Sequence, residues 1–366
     1  MKHDLFLSGI TIFLIVKGVH ISVSNDELDI EVFGEGNILQ YFKKELEFTL
    51  NQVSDTNSYS VCYNNSKNYN ARVRFNGNIK QLEINIGVVM AIYHLSYLLM
   101  MNDMFFPDIG DAENTEGMNF FDFELPAIEM RKDKLKEINF YSGPSDSIRQ
   151  SIAQVIAMFG VEFIIFHELG HILGGHLDYL KDNLGITELK AQGSENDLFT
   201  KTNDFVTYQT IEMDADAISM YLLLENALCK KNYIISIFLD NFEIELGKLL
   251  IISVVIAFFL MNTGSNKNSP SSRYLPRDYR FHLVLSILLS KLQREYKTLL
   301  YDSTVITDAV KMYLDCNEFL SKLFNTNKMV EIPPFELDQY YYNVILKKWQ
   351  LIKEDVQKKA KIKLPD

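Results

Sequence analysis

The chain has few cysteines, and they are far apart. Cys62, Cys229 and Cys316 are the only three among 366 residues. Such spacing gives neither a disulfide framework nor a cysteine cluster at metal-ligand spacing. The thiols therefore fit a reducing compartment and exclude the small disulfide-stabilised secreted classes.

Positive charge is also in short supply. The sequence has 36 Lys and Arg against 48 Asp and Glu, which gives a net charge of -12 at pH 7. Nucleic-acid binding needs a strongly basic surface to contact phosphates. We therefore expect no nucleic-acid partner.

Long apolar runs are scarce as well. The run at 249–261 is shorter than the roughly 20 residues that a spanning helix needs, so we predict a buried central helix there. The run at 5–16 has the length of a signal-peptide core, but Asp4 precedes it and no small-residue cleavage site follows. We expect a cytoplasmic protein without a spanning segment, and an N-terminal signal or anchor is the alternative that stays open.

The basic residues that are present cluster near the C-terminus, where 347–363 contains seven lysines. In this region Ile345, Trp349, Ile352 and Val356 recur at helical spacing. The pattern predicts an amphipathic helix with a solvated lysine face. Peripheral contact with a membrane surface is the alternative.

Apolar periodicity predicts an α+β fold in two parts, with no internal repeat. Residues 1–135 form a predicted mixed α/β region with hairpins, and residues 136–366 a mainly helical domain. The stretch 103–126, rich in Asp, Glu, Gly and Asn, is predicted to be a long loop or linker.

The first part contains two candidate hairpins. Alternating apolar residues around a polar break indicate one at 18–34. The second, at 71–87, has Asn76-Gly77 between two alternating runs, the strongest short-range hairpin signal. Between them we predict a helix at 38–50 and a polar, loop-like segment at 53–70.

Helices dominate the rest of the chain. Pro144-Ser145, with Ser or Asp as the cap, predicts the start of a long helix. Gly170 inside that helix costs about 1 kcal/mol against Ala, which either a close approach of another segment or ordinary tight packing explains. The segment 178–202 is polar, with breaks at Gly185 and Gly193. Further helices are predicted at 88–101, 203–228, 249–261, 280–296, 303–324 and 337–362.

Histidine is scarce too, yet three of the seven lie in FHELGHILGGH, residues 166–176. His167, Glu168 and His171 make the pattern HExxH. Residues four apart on a helix lie one turn above each other, so both imidazoles can reach one ion. Neutral imidazole suits Zn²⁺, and a glutamate beside the first ligand can take a proton from bound water. The pattern predicts one zinc ion per chain, with Glu168 as general base.

Two histidines leave a zinc site incomplete, and the downstream stretch IEMDADAIS offers a third ligand. Glu212 and Asp216 are four apart on a predicted helix, so they face one way. Buried acids of this kind need compensation, which a metal and its histidines would supply. We predict Glu212 as the third ligand and Asp216 as acceptor of the other ring N–H of a ligating histidine. A solvated helix face is the alternative.

His176 and Asp178 are the alternative ligands if Glu212 is not one. His176 lies five residues after His171, off the ligand face of a continuing helix, although Gly174-Gly175 can break the helix there. We expect His176 to support the site from behind the ligands. The long metzincin pattern fails, because position 177 is leucine.

HELGHILGGH followed by EMDADAIS resembles the gluzincin pattern of HExxH with a later ExxAD. It is similar to the Ste-type and Oma-type peptidases, in which a histidine often stands nine residues after the first, as His176 does here. Phage-exclusion Lit-type peptidases are a looser match. The resemblance spans roughly 160–280 and implies a zincin-like catalytic domain, a zinc ion and a protein or peptide substrate.

The chain departs from that pattern at one position. Those families also have a His-Pro and a nearby Arg after a further helix, whereas YLPRDYR keeps Pro276 and Arg280 but has Leu275 in the histidine's place. Tyr274, Arg280 or His282 are the candidates to stabilise an oxyanion instead.

The sequence therefore predicts a zinc-dependent endopeptidase that uses metal-activated water and Glu168 to hydrolyse a peptide bond. The alternative, from another class, is a regulatory or defence protein. Its zinc site would be sensing or structural, with little proteolysis, and the mixed N-terminal region would bind a partner protein.

Overall fold

The computed structural model describes most of the central and C-terminal chain. The described residues are 20–21, 59–64, 66, 69–112, 144–190, 204–229, 242–262, 275, 277–295, 303–323 and 339–362. The predicted hairpin at 18–34, apart from 20–21, and the predicted helix at 38–50 lie outside them, as does most of the predicted loop at 103–126.

The described strands form one mixed sheet in the order β1-β2-β4-β3-β5. The pairs β1–β2 and β2–β4 are parallel, whereas β3 pairs antiparallel with both β4 and β5. The strands are β1 (His20–Ile21), β2 (Tyr59–Asn64), β3 (Ala71–Asn76), β4 (Ile79–Asn85) and β5 (Glu188–Lys190).

The hairpin predicted at 71–87 is confirmed as β3 and β4. Asn76 pairs with Ile79, so the two-residue loop is Gly77-Asn78, and Gly77 has the positive φ of 62° that glycine tolerates best. The predicted loop at 53–70 is wrong over Tyr59–Asn64, which is strand β2. Parallel pairing with β4 provides the hydrogen bonds there, which a local pattern does not reveal.

Eight α-helices are described, and with the sheet they confirm the α+β class with a mainly helical C-terminal part. A short π-helix, Tyr341–Ile345, leads into the last of them. They are α1 (Ile86–Met100), α2 (Ser147–Leu173), α3 (His176–Leu184), α4 (Phe205–Cys229), α5 (Phe242–Asn262), α6 (Arg277–Glu295), α7 (Ser303–Leu323) and α8 (Leu346–Lys359).

Helix α2 lies at the centre of the fold and packs against α1, α4 and α5. It begins where the sequence predicted, because the Asp146 carboxylate accepts hydrogen bonds from the backbone N–H groups of Ile148 and Arg149, both at 2.9 Å. It ends at Gly174. Gly175, with a φ of 76°, then turns the chain into α3, which the sequence did not predict.

Two described helices are long and apolar enough, on length and composition, to cross a membrane: Ser147–Leu173 and Ile244–Met261. Their most apolar windows are 94% and 83% buried by other parts of the protein, as in the core helices of globular proteins. The buried central helix predicted at 249–261 is therefore confirmed. The predicted lack of a spanning segment stays a prediction.

The predicted amphipathic C-terminal helix is confirmed as α8. Ile345, Trp349, Ile352 and Val356 are all at most 8% exposed. The N–H of Lys361, just after the helix, donates to the Leu173 carbonyl at 2.6 Å, so the end of α8 lies against the end of α2.

Elements on both sides of the predicted 135/136 boundary share one core. Helix α1 packs on α2, and β5 pairs with β3 from the earlier part of the chain. The boundary itself falls in 113–143, outside the described residues, and stays a prediction.

Gly170 lies at a close contact between α2 and α4. A Cβ atom at this position would lie 3.3 Å from the Ala215 carbonyl oxygen and 3.4 Å from its Cα. Near the same crossing the Ser219 hydroxyl donates to the Phe163 carbonyl at 2.6 Å. The close approach of another segment is thus the explanation for Gly170 that the structure supports.

Arg149 fixes the segment that follows α1. Its side chain is fully buried, and its N–H groups donate to five backbone carbonyls at 2.7–3.1 Å. Because guanidinium has five donors in a planar fork, one side chain can satisfy all of these acceptors. The acceptors belong to Met100, Asn102, Phe105, Phe106 and Ile109.

Replacing Arg149 by Met, which keeps the length and removes the donors, is expected to lower the free energy of unfolding by about 3–5 kcal/mol, because buried carbonyls lose their partners. Urea denaturation measures the loss. Lys311→Met is the control: this side chain is 71% exposed in an ion pair with Asp315, and its loss should cost about 0.5 kcal/mol or less. Equal losses in both variants would contradict the assigned role of Arg149.

Candidate metal centre

Two helices bring three metal-binding side chains together. His167 and His171 lie one turn apart on α2, and Glu212 reaches them from α4 beside the crossing at Gly170. The two Nε2 atoms are 3.2 Å apart. Glu212 places Oε2 at 3.3 Å from Nε2 of His167 and Oε1 at 3.5 Å from Nε2 of His171.

Each of these distances is close to the spacing of neighbouring ligands in a tetrahedral metal site, and the two histidines face different oxygens of Glu212. With ligand bonds of about 2.0–2.1 Å, neighbouring corners of a tetrahedron are about 3.3–3.4 Å apart. The three side chains are at most 2% exposed. His167, His171 and Glu212 thus form a buried group that could hold a metal ion.

The back of the first histidine faces a carboxylate. Nδ1 of His167 lies 2.9 Å from Oδ1 of Asp216. Arg280 in turn donates to both Asp216 oxygens, from Nε and Nη2, each at 2.7 Å. A bidentate pair of this kind fixes the carboxylate in one orientation and compensates its charge. Asp216 therefore lies where the sequence placed it, behind a candidate ligand.

Buried charge determines the proton balance of the group. Burial alone would lower the pKa of His167, but hydrogen bonds to Asp216 and Glu212 and their negative charges raise it to about 10. Burial would raise the pKa of Glu212, yet its hydrogen bond to His167 and the nearby positive charges lower it to about 2. The pKa of His171 is lowered well below 6.5, mainly by burial. Without a metal, His167 is therefore protonated, and its Nε2 proton lies among the two imidazoles and the Glu212 carboxylate.

The back of the second histidine faces another imidazole. Nδ1 of His171 lies 3.2 Å from Nδ1 of His176, and Nε2 of His176 lies 2.9 Å from Oδ2 of Asp214. His176 and Asp214 are 0% and 3% exposed. His176 thus lies behind a candidate ligand, and its predicted supporting role stays a prediction. Asp178, the other alternative ligand, forms an ion pair with Lys80 instead.

Glu168, the predicted general base, is also on α2 and has no exposed surface. It follows His167 directly, so it is on the same helical turn as the first candidate ligand. The three predicted metal ligands and the predicted general base are therefore all buried in this structure.

The predicted oxyanion candidates have different surroundings. Tyr274 lies outside the described residues. Arg280 binds Asp216 and has Nη2 at 3.6 Å from Glu212, so its contacts are with the acids of the centre. His282 is half-buried with its ring 5.8 Å from that of Tyr313. Leu275, at the position where the peptidases that the sequence resembles have a histidine, is buried in a small apolar cluster that includes Met213 of α4.

Sequence reasoning missed Asp214 and the pairing of Asp216 with Arg280. Asp214 is two residues from both Glu212 and Asp216, about 200° around the helix from each, so the search for i, i+4 pairs passed over it. The available signal was the presence of three acids within five residues of an otherwise apolar stretch. Such buried acids require partners, and His176 is the partner of Asp214.

No family model matches this chain, and neither a curated protein nor a solved structure does. The resemblance to gluzincins therefore stays a prediction that depends on the quoted motifs alone.

Proposed function

We propose that this protein is a zinc-dependent endopeptidase of the cytoplasm. The observation that supports it is the buried group of two imidazoles and one carboxylate that could hold a metal ion, with Glu168 on the same helical turn. Nitrogen and oxygen donors in this ratio suit zinc. Catalytic zinc sites use three protein ligands and keep a fourth position open, whereas structural sites are usually closed by four.

The protein groups have separate roles in the proposed reaction. When bound, the ion supplies an activated water and a Lewis acid for the scissile carbonyl. Glu168 takes the proton of the attacking water and delivers it to the leaving amine. Asp216 and Arg280 hold His167 in its ligand orientation.

Burial is the observation that favours the second candidate, a regulatory or defence protein with a structural or sensing zinc site. The three candidate ligands and Glu168 are each at most 2% exposed. A polypeptide cannot reach Glu168 in this state, so proteolysis requires neighbouring residues to move. A sensing or structural ion needs no such movement.

Changing Glu168 to Gln distinguishes the two candidates. We expect peptide-bond cleavage to fall at least about 100-fold, because the general base is lost, while zinc content stays near one per chain. Proteome-wide comparison of new N-termini, together with elemental analysis of the purified protein, measures both quantities.

Glu162→Gln is the matched control, since it removes a buried carboxylate from the same helix six residues earlier. It should leave cleavage unchanged. Suppose that wild type and Glu168→Gln give identical N-termini, while His167→Ala loses zinc and any phenotype that the wild-type protein gives in cells. The ion is then structural or sensing.

Zinc binding at pH 6 is expected to release about one proton per ion. His167, with its pKa raised to about 10, is protonated at that pH and must lose the proton to bind through Nε2. His171 is already neutral, because its pKa lies well below 6.5, and Glu212, with a pKa of about 2, is already ionised. The contribution of His167 to this release should disappear above about pH 10. Calorimetric titration in buffers of different ionisation enthalpy counts the protons.

Asp216→Asn is the comparison variant for this titration. It removes the negative charge that raises the pKa of His167, so fewer protons should be released at pH 6. A wild-type protein that binds zinc at pH 6 without releasing protons would show that His167 is neutral before binding.

A further inference from the structure

The two candidate histidine ligands are supported in different ways. His167 contacts a carboxylate directly, through Asp216. His171 contacts His176, and only His176 contacts a carboxylate, Asp214. The second support is therefore a chain of three buried groups.

Hydrogen-bond chemistry assigns the proton positions along this chain, starting from the carboxylate. An ionised Asp214 can only accept, so Nε2 of His176, at 2.9 Å, must be the donor. In a neutral His176 the proton on Nε2 leaves Nδ1 with a lone pair. That Nδ1 accepts, and Nδ1 of His171, at 3.2 Å, has to donate.

The consequence appears at the opposite side of the His171 ring. If Nδ1 has the proton, Nε2 has the lone pair, and Nε2 is the atom that faces Glu212 and His167. The other neutral tautomer would direct an N–H at the metal position and prevent ligation. The tautomer of His171 therefore depends on the identity of Asp214, two groups away.

The local fold keeps His176 at this place. Gly174 leaves room for the ring, because a Cβ there would lie 2.7 Å from Nε2 of His176. Gly175 has a positive φ of 76° and contacts the backbone of Lys359 and Ala360 at the end of α8. The His176 ring has no exposed surface, so bulk water does not compete for either hydrogen bond.

We propose that Asp214 and His176 are a positioning pair that fixes His171 as the Nδ1–H tautomer and directs its Nε2 lone pair at the metal. The proposal rests on the metal-binding part of the proposed function and not on proteolysis. Removing a carboxylate or carbonyl behind a ligating histidine typically weakens metal binding 10–100-fold. Asp214 and His176 should each have an effect of that size.

The test compares four variants by competition for zinc with a chelator. His176→Leu and Asp214→Leu remove the hydrogen bonds and should bind zinc about 10–100-fold more weakly. His176→Gln should stay close to wild type, because its amide oxygen can accept from His171 while its NH₂ donates to Asp214. Glu225→Gln is the control on α4, where a 45% exposed side chain pairs with Lys291, and it should change nothing.

A second measurement reports the hydrogen bond itself. In zinc-free protein with ¹⁵N-labelled histidine, NMR should place the proton of His171 on Nδ1 and show a coupling between the two Nδ1 nitrogens. In His176→Leu the coupling should vanish and the proton should no longer be confined to Nδ1. If a leucine variant does not fold, His176→Gln supplies the comparison: the nitrogen–nitrogen coupling should vanish, because no second imidazole remains, while the proton of His171 should stay on Nδ1.

The outcomes separate the two proposals. Wild-type zinc affinity in His176→Leu and Asp214→Leu, or equal losses in His176→Gln and His176→Leu, would overturn the positioning role and leave the zinc site standing. A wild-type protein that binds no zinc would overturn the proposed function as well. A wild-type proton on Nε2 of His171 would overturn the tautomer assignment directly.

Discussion

The crossing of α2 and α4 at Gly170 is the constraint on which the candidate metal centre depends. Gly170 lies between Glu168 and His171 in sequence, and it contacts the backbone of Ala215, which lies between Asp214 and Asp216. A Cβ at this point would lie 3.3 Å from the Ala215 carbonyl oxygen, so even alanine would require the two helices to shift slightly apart. The glycine therefore gives up about 1 kcal/mol of helix propensity so that side chains from both helices can meet within hydrogen-bond distance.

The second requirement is charge compensation without solvent. Glu212, Asp214 and Asp216 are all at most 3% exposed within one helical stretch, and an isolated buried carboxylate is costly. Each of the three carboxylates has a different compensating partner in the structure. Asp216 has Arg280, Asp214 has the ring of His176, and Glu212 faces two imidazoles whose shared proton a divalent ion could replace. A proton or a divalent ion could thus each compensate the negative charge of Glu212 at the same place between the two imidazoles.

Local spacing was enough to predict the parts of the fold and centre that depend on one helix. HExxH and the Glu212–Asp216 pair both follow from the i, i+4 rule, and Asp146 and Asn76-Gly77 mark the helix start and the hairpin by short-range chemistry. What escaped prediction depends on long-range contacts. Strand β2 is defined by its parallel partner, Arg149 by carbonyls 40 or more residues away, and Asp214 by a histidine on another helix.

The same distinction explains why the centre is a property of the whole described fold. His176 is set in place by a glycine turn that contacts the end of α8, and α8 in turn packs on α3 and α4. Residues nearly 200 positions apart thus determine the orientation of one imidazole. Because a metal that binds only the folded chain adds its binding free energy to folding, an ion at this centre would stabilise the α2–α4 crossing and the C-terminal helix together.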